Sequence, residues 1–239
     1  MVESLAQLLW PLPCPAFVAA DYRGAKALEI GNASPSFAMR GIFPVYPELR
    51  QLDRIVKSSH TPWARQSGLI ACTTTHTYIG CATICPGVPV GQYEVILSSH
   101  VLEHIANPLL ALSTWYRLLP NGGRLVLLLP RHSHTHDWRR PRTSFAHLAE
   151  DWVRAAPESD RTHVEEYVRY YDHKMVTGPR PEEGDLEELA GQNYLTRIVH
   201  HHTWDMTLAK LAVAHVGFNL ERWCHAAPFH IVIVARKTL

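Results

Sequence analysis

The chain has no run that approaches the roughly 20 consecutive apolar residues a membrane-spanning helix requires, so no membrane partner is expected. It has no excess of either charge. Its 23 Lys and Arg face 22 Asp and Glu, for a formal net charge of +1. No stripe of basic residues interleaved with aromatics stands out, which argues against nucleic acid as a partner. Cysteine is scarce, and Cys14, Cys72, Cys81, Cys85 and Cys224 form an odd set without a Cys-x-x-Cys pair. Reduced thiols in a cytoplasmic protein are the expectation. A secretory leader is not expected, because Met1 to Phe17 carries Glu3 where positive charge belongs and is broken by Pro11, Pro13 and Pro15. Ser4 to Trp10 reads at most as a short amphipathic helix at a domain edge.

What is present is a chain of 239 residues, 46% apolar and 19% charged, long enough to bury a sizeable core. Its clearest stretch runs from Tyr93 to Pro130. Tyr93 to Leu97 is a short run turning apolar and β-branched, and it stops at the polar trio Ser98-Ser99-His100. Leu109, Leu112 and Tyr116, flanked by Trp115 and Leu119, then recur at helical spacing. Asn121-Gly122-Gly123 supplies a stop, because glycine adopts the left-handed conformation at little steric cost. Leu125 to Leu129 is a near-continuous apolar strand of the kind covered on both faces. The unit is βαβ, and it sets a polar turn at the carboxyl end of its first strand, where open α/β sheets bind ligands.

The string SHVLEHIANPLLAL, followed by RLLPNGG and an apolar strand ending in proline, resembles class I S-adenosylmethionine-dependent methyltransferases of the type 11 group. The resemblance implies an α/β fold, a Rossmann-like seven-stranded and mostly parallel sheet with flanking helices and a C-terminal antiparallel hairpin. It implies S-adenosyl-L-methionine as cofactor. In the family the first strand ends in a Glu/Asp-x-Gly-x-Gly-x-Gly loop. Here the corresponding segment is Glu29-Ile30-Gly31-Asn32-Ala33-Ser34-Pro35-Ser36-Phe37, and only the first glycine is present. A subgroup has Glu-Ile-Gly followed by small or polar residues and then Pro and Phe. On that reading Glu29, Gly31, Asn32 and Ala33 hold the cofactor; on the other, the loop has lost it. Ser98, Ser99 and His100 would edge the same site, and Glu103-His104 would support the loop.

Ile42 to Tyr46 is the expected second strand, and Glu48 after it the carboxylate for the ribose diol. The bland alternative makes Glu48 the first residue of a helix over Glu48 to Val56, where negative charge suits the dipole. Leu69 to Thr75 has β propensity for a third strand, and the adenine wall has no recognisable residues. Cys81, Cys85 and His76 read as structural residues rather than metal ligands.

Residues 131–205 resemble an insertion of the same subgroup that covers the pocket mouth and builds the acceptor site, with His136 where the subgroup tends to have Phe. The expected organisation is therefore one domain over 1–239 with 131–205 as an inserted cap. His147 and Asp151 are four apart and His163 and Glu166 three apart, so each pair shares a helical face. A helix over Met206 to Val216, stopped by Gly217, and a hairpin of Phe218 to Trp223 with His230 to Arg236 close the chain.

Sixteen histidines, most of them after residue 130, suit proton removal from an acceptor. His136, His147 and His202 are the candidate catalytic residues, with Asp137 or Asp151 as orienting groups. No metal is expected, because no closed zinc pattern such as His-Glu-x-x-His occurs. The competing reading assembles imidazoles and a carboxylate from His147, Asp151, His163, Glu166 and the 200–202 run into a metal site. The expected function is methyl transfer to an oxygen or nitrogen of a small-molecule acceptor. The alternatives are non-methylating chemistry (cyclisation, isomerisation or a metal-assisted reaction) in the histidine-rich cap, or a non-catalytic partner subunit. A homodimer is compatible with the sequence.

Overall fold

The computed structural model describes residues 14–57, 74–175 and 183–238. The expected helix at Ser4 to Trp10, Cys72, and the Leu69 to Thr73 part of the expected third strand lie outside the described residues.

Five parallel strands form the body of one sheet: β1 (Lys26–Ile30), β2 (Gln51–Val56), β3 (Thr74–Ile79), β4 (Val95–Ser99) and β5 (Arg124–Pro130). β6 (Phe218–Ala226) and β7 (His230–Lys237) form an antiparallel hairpin that pairs through β7 with β5. The seven-stranded order is β3-β2-β1-β4-β5-β7-β6. The chain thus winds outward on one side of β1 and then returns to start the other side at β4. That reversal sets the switch point at the carboxyl ends of β1 and β4, the place where open α/β sheets take ligands.

Both faces of the central strands are covered, as their unbroken apolar runs require. On one face Leu28, Ile30, Ile96 and Leu127 pack with Leu109, Leu112 and Trp115 of helix α1 (Pro108–Leu118). Burial of Leu109 and Leu112 contributes about 1.5–3 kcal/mol each. Asn107 starts α1 by accepting from Leu110 N–H, and Pro108 fills the first turn, where its missing N–H costs nothing. On the other face Ala27, Leu97, Val126 and Leu128 meet Tyr22, Phe37 and Phe43. Gly122, at φ +81°, makes the turn from α1 into β5.

The second strand is not Ile42 to Tyr46 but Gln51–Val56, the stretch whose alternative reading was a helix. Leu52 and Ile55 are three apart and mimic a helical face, but tertiary partners decide the matter. Asp53 accepts from Tyr93 Oη at 2.7 Å, and Arg54 Nε lies 3.1 Å from Glu29 Oε2, its neighbour in the β1–β2 register. Ile42, Phe43 and Val45 are buried without forming a strand, because they plug the second face of the sheet. The helix after β4 begins only at Pro108, and Leu102–His104 is a single 3-10 turn.

The expectation of reduced thiols is overturned at one pair: Cys14 and Cys224 are disulfide-bonded and tie the segment before β1 to β6. Cys81 and Cys85 are free. Among the described residues no helix is long and apolar enough to cross a membrane.

Within 131–205, α2 (Phe145–Val153), α3 (Val164–Tyr170), α4 (Glu183–Gly191) and the single turn α5 (Asn193–Thr196) precede α6 (Met206–His215). The segment is fastened to the sheet beside the turn after β4. His201 N–H donates to Glu103 O at 2.7 Å, Asn107 Nδ2 donates to Asp151 O at 3.0 Å, and His132 N–H donates to Trp204 O at 2.9 Å.

Candidate active site

The loop after β1 turns at Gly31, whose φ is +98° and whose N–H donates to Ile55 O at 2.8 Å. A Cβ there would lie 2.7 Å from Val101 Cγ2, so only glycine fits against the turn that follows β4. Beyond it the chain needs no further glycine. Ser34 accepts from Ser36 N–H and caps the 3-10 turn Pro35–Phe37, and its hydroxyl donates to Ser99 Oγ at 2.9 Å. Asn32 is half-buried and Ala33 buried. The first loop is thereby pinned to the end of β4.

Glu29 lies beneath this loop, and its carboxylate is taken up inside the protein. It accepts from Tyr46 Oη, from Arg54 Nε at 3.1 Å and from Ser34 N–H at 3.0 Å. Burial, opposed by Arg54 and the Tyr46 hydrogen bond, pushes its pKa up to about 7. Glu29 thereby braces the loop. The expectation for Glu48 does not hold. It precedes β2, at the strand's amino end, and pairs at 3.7 Å with Arg23. Lys57 is the last described residue after β2, so no described carboxylate stands at that strand's carboxyl end.

At the end of β4 the expected trio divides. Ser98 is fully buried and its hydroxyl has no partner among the described residues. Ser99 and His100 are partly exposed. His100 has φ +54°, an uncommon conformation for a residue with a side chain, and it turns the imidazole toward Glu103. Glu103 Oε1 lies 3.4 Å from His100 Nδ1 and 3.9 Å from His104 Nε2. His100 Nε2 lies 2.9 Å from His230 Nδ1 of β7. Burial would raise the Glu103 carboxyl, but the His100 hydrogen bond and the neighbouring His104 outweigh it and hold it below the usual range. Burial lowers His104 to about 4 and His230 to about 3, so both stay neutral. A buried carboxylate thus orients one partly exposed imidazole, whose other nitrogen meets His230.

Of the three candidate histidines of the cap, His147 and His202 share one cluster and His136 lies in another. His136 has its Nε2 2.9 Å from Tyr167 Oη and its ring 4.5 Å from that of His200. Burial, helped by His200, lowers its pKa to about 3 and keeps the ring neutral. His202 is fully buried, with Nε2 2.8 Å from Asp151 Oδ2. His147 is half-exposed and gathers with His163 and His202 around Asp151. Sequence reasoning left out Arg140, which is buried and donates to Asp137, Glu166 and the carbonyls of His200 and His201. Its signal, an arginine inside a His- and Arg-rich run, is indistinguishable from a surface residue.

A doubly wound sheet with an antiparallel last strand, a glycine turn pressed against the chain after β4 and a polar edge between them define a class I methyltransferase fold. The chain matches the family described as Methyltransferase domain over residues 20–177, well over half its length, and it belongs to that family. S-adenosylmethionine is the cofactor of this class. A search among curated proteins finds no match. Among solved structures, a candidate S-adenosylmethionine dependent methyltransferase from Listeria monocytogenes is similar over 100% of this chain and 96% of its own, with 14% identity and a TM-score of 0.53. An S-adenosylmethionine dependent methyltransferase from Mesorhizobium loti is similar over 90% and 92%, with 14% identity and a TM-score of 0.51. The CurJ carbon methyltransferase is similar over 91% of this chain, with 17% identity and a TM-score of 0.50, but the chain spans only 50% of that protein. At such identities these likenesses show the fold alone.

The residues present fit one half of the cofactor. The bare Gly31 backbone, half-buried Asn32 and the hydroxyl of Ser99 would hold its amino-acid and sulfonium end. A ribose carboxylate is not supplied by the described residues.

Proposed function

We propose that this chain transfers a methyl group from S-adenosylmethionine to an oxygen or nitrogen of a small-molecule acceptor, with His100 as the general base. The observation that carries the reading is the His100–Glu103 pair at the carboxyl end of β4, beside the Gly31 turn. Bound S-adenosylmethionine supplies an activated methyl group, so the protein contributes orientation, exclusion of water and proton removal. Glu103 holds the His100 imidazole through Nδ1 and balances the charge it acquires, and Nε2 takes the acceptor proton when the acceptor displaces His230 Nδ1, which otherwise lies 2.9 Å from it. Residues 131–205, fastened to Glu103 O and to Asn107, act as the acceptor cap, and His136 with Tyr167 forms part of its polar wall.

A second reading, non-methylating chemistry in the same fold, is favoured by one observation, the lack of a described carboxylate after β2. Calorimetry with S-adenosylmethionine and S-adenosylhomocysteine separates the two. Micromolar binding supports methyl transfer, and absence of binding sinks it. Release of S-adenosylhomocysteine is then followed over a panel of phenols, catechols and amines. His100→Gln and Glu103→Gln should each slow release by about 10²–10⁴-fold with cofactor affinity nearly unchanged. Equal loss of cofactor affinity would refute the base assignment.

A further inference from the structure

Helix α2, the residue that opens α3 and the loop before α6 bring four side chains to one point. His147, Asp151, His163 and His202 each offer a ligand atom, and these atoms all lie within 4.8 Å of one another. His147 Nε2 and His163 Nε2 are 3.1 Å apart, His202 Nε2 is 2.8 Å from Asp151 Oδ2, and His147 Nε2 is 3.5 Å from the same oxygen. Zinc bonds to imidazole nitrogen and carboxylate oxygen of about 2.0–2.2 Å put tetrahedral ligand atoms roughly 3.3–3.5 Å from one another. The spacings of 2.8, 3.1 and 3.5 Å lie close to that range.

The outer side of the cluster has the matching chemistry. Glu166 Oε2 stands 3.8 Å from His163 Nδ1, and Glu150 Oε2 stands 4.0 Å from His147 Nδ1. Carboxylates on the Nδ1 side favour the tautomer that keeps the proton there and leaves Nε2 as a lone pair. Two such lone pairs, 3.1 Å apart, then face each other with a carboxylate oxygen beside them. In that tautomer neither ring donates to the other, and a single cation would satisfy all three atoms. Asp151 is held for the task by its second oxygen, Oδ1, which accepts from Arg154 Nη2 at 2.7 Å and Nε at 3.0 Å. The side chain of His147 is 36% exposed and gives an ion a path in, whereas those of Asp151 and His202 are almost wholly enclosed.

We propose that these four residues bind a divalent transition-metal ion of the zinc class, in a three-nitrogen, one-oxygen site that staples the cap together. Nitrogen and oxygen ligands at tetrahedral spacing suit zinc and cobalt, and disfavour calcium and magnesium, which prefer all-oxygen shells. The site goes beyond methyl transfer, since it contains neither His100 nor the Gly31 turn.

The test uses the whole protein, freed of metal by a chelator and titrated with zinc and with cobalt. One equivalent of each should bind, the cobalt form should show the intense visible bands of a four-coordinate ion, and zinc should raise the melting temperature. His163→Gln should weaken zinc binding by at least about 10–100-fold, whereas His225→Gln, an exposed histidine on β6, should leave it unchanged. Equal zinc affinity in His163→Gln would overturn the proposal. Should that variant fail to fold, the wild-type titration decides, because no binding, or cobalt spectra without four-coordinate bands, also overturns it.

Discussion

Arg140 Nη1 lies 3.0 Å from Asp137 Oδ2, and both side chains are buried. The same guanidinium reaches Glu166 and the backbone carbonyls of His200 and His201, so its donors tie three parts of the cap to one point. Burial would raise the Asp137 carboxyl, but His200, 3.0 Å away, and Arg140 keep it well below the usual range.

Arg140→Lys should therefore be destabilising, although it keeps the charge. A lysine has no planar fork and cannot serve both carboxylates and two carbonyls together. Each charge-assisted bond left unmade costs about 1.5–3 kcal/mol. Urea unfolding should show a lower midpoint with an unchanged slope. An unchanged midpoint would mean that the fork is dispensable.

Gly31→Ala should damage the cofactor site and the fold together. The new Cβ sits 2.7 Å from Val101 Cγ2, at a φ that side chains rarely adopt. The expected loss is about 1–3 kcal/mol of stability, with S-adenosylhomocysteine binding abolished in calorimetry. Adding Val101→Ala removes the clash but not the backbone strain, so it should restore part of the stability. Full cofactor affinity in Gly31→Ala would contradict the assigned turn.

Glu29 gives a pH dependence of defined sign. Its folded-state pKa, raised by burial from 4.5 to about 7, means that the native protein keeps this proton longer than the unfolded chain. Its contribution to stability is present below about pH 4.5 and is lost as the pH rises through about 7. The loss is of order 3 kcal/mol at most, at about 1.4 kcal/mol per unit. Glu29→Gln should remove that component, so the stability difference between variant and wild type should change across this window. A constant difference would show that the carboxyl is not displaced.

The stretch from β4 to β5 was legible because its signals are local. A β-branched run, helical spacing at Leu109, Leu112 and Tyr116, and Gly122 at a positive φ each act over a few residues. The β2 segment was misread for the opposite reason. Leu52 and Ile55 have helical spacing, and what makes them a strand is pairing with β1 and the distant partners of Asp53 and Arg54. Glu48 then lost its expected place, since a strand starting three residues later puts it at the amino end.

By itself the sequence determined the α/β class, the βαβ unit, the closing hairpin and the Gly31 turn, because periodicity, turn chemistry and a family pattern are written along the chain. Only the tertiary structure decided which histidines meet. It set His100 against His230, turned His136 to Tyr167, and brought His163 and His202 onto His147 and Asp151. Those partners come from helices and loops far apart in the chain, and side chains are brought within hydrogen-bonding distance by packing, which no local spacing encodes.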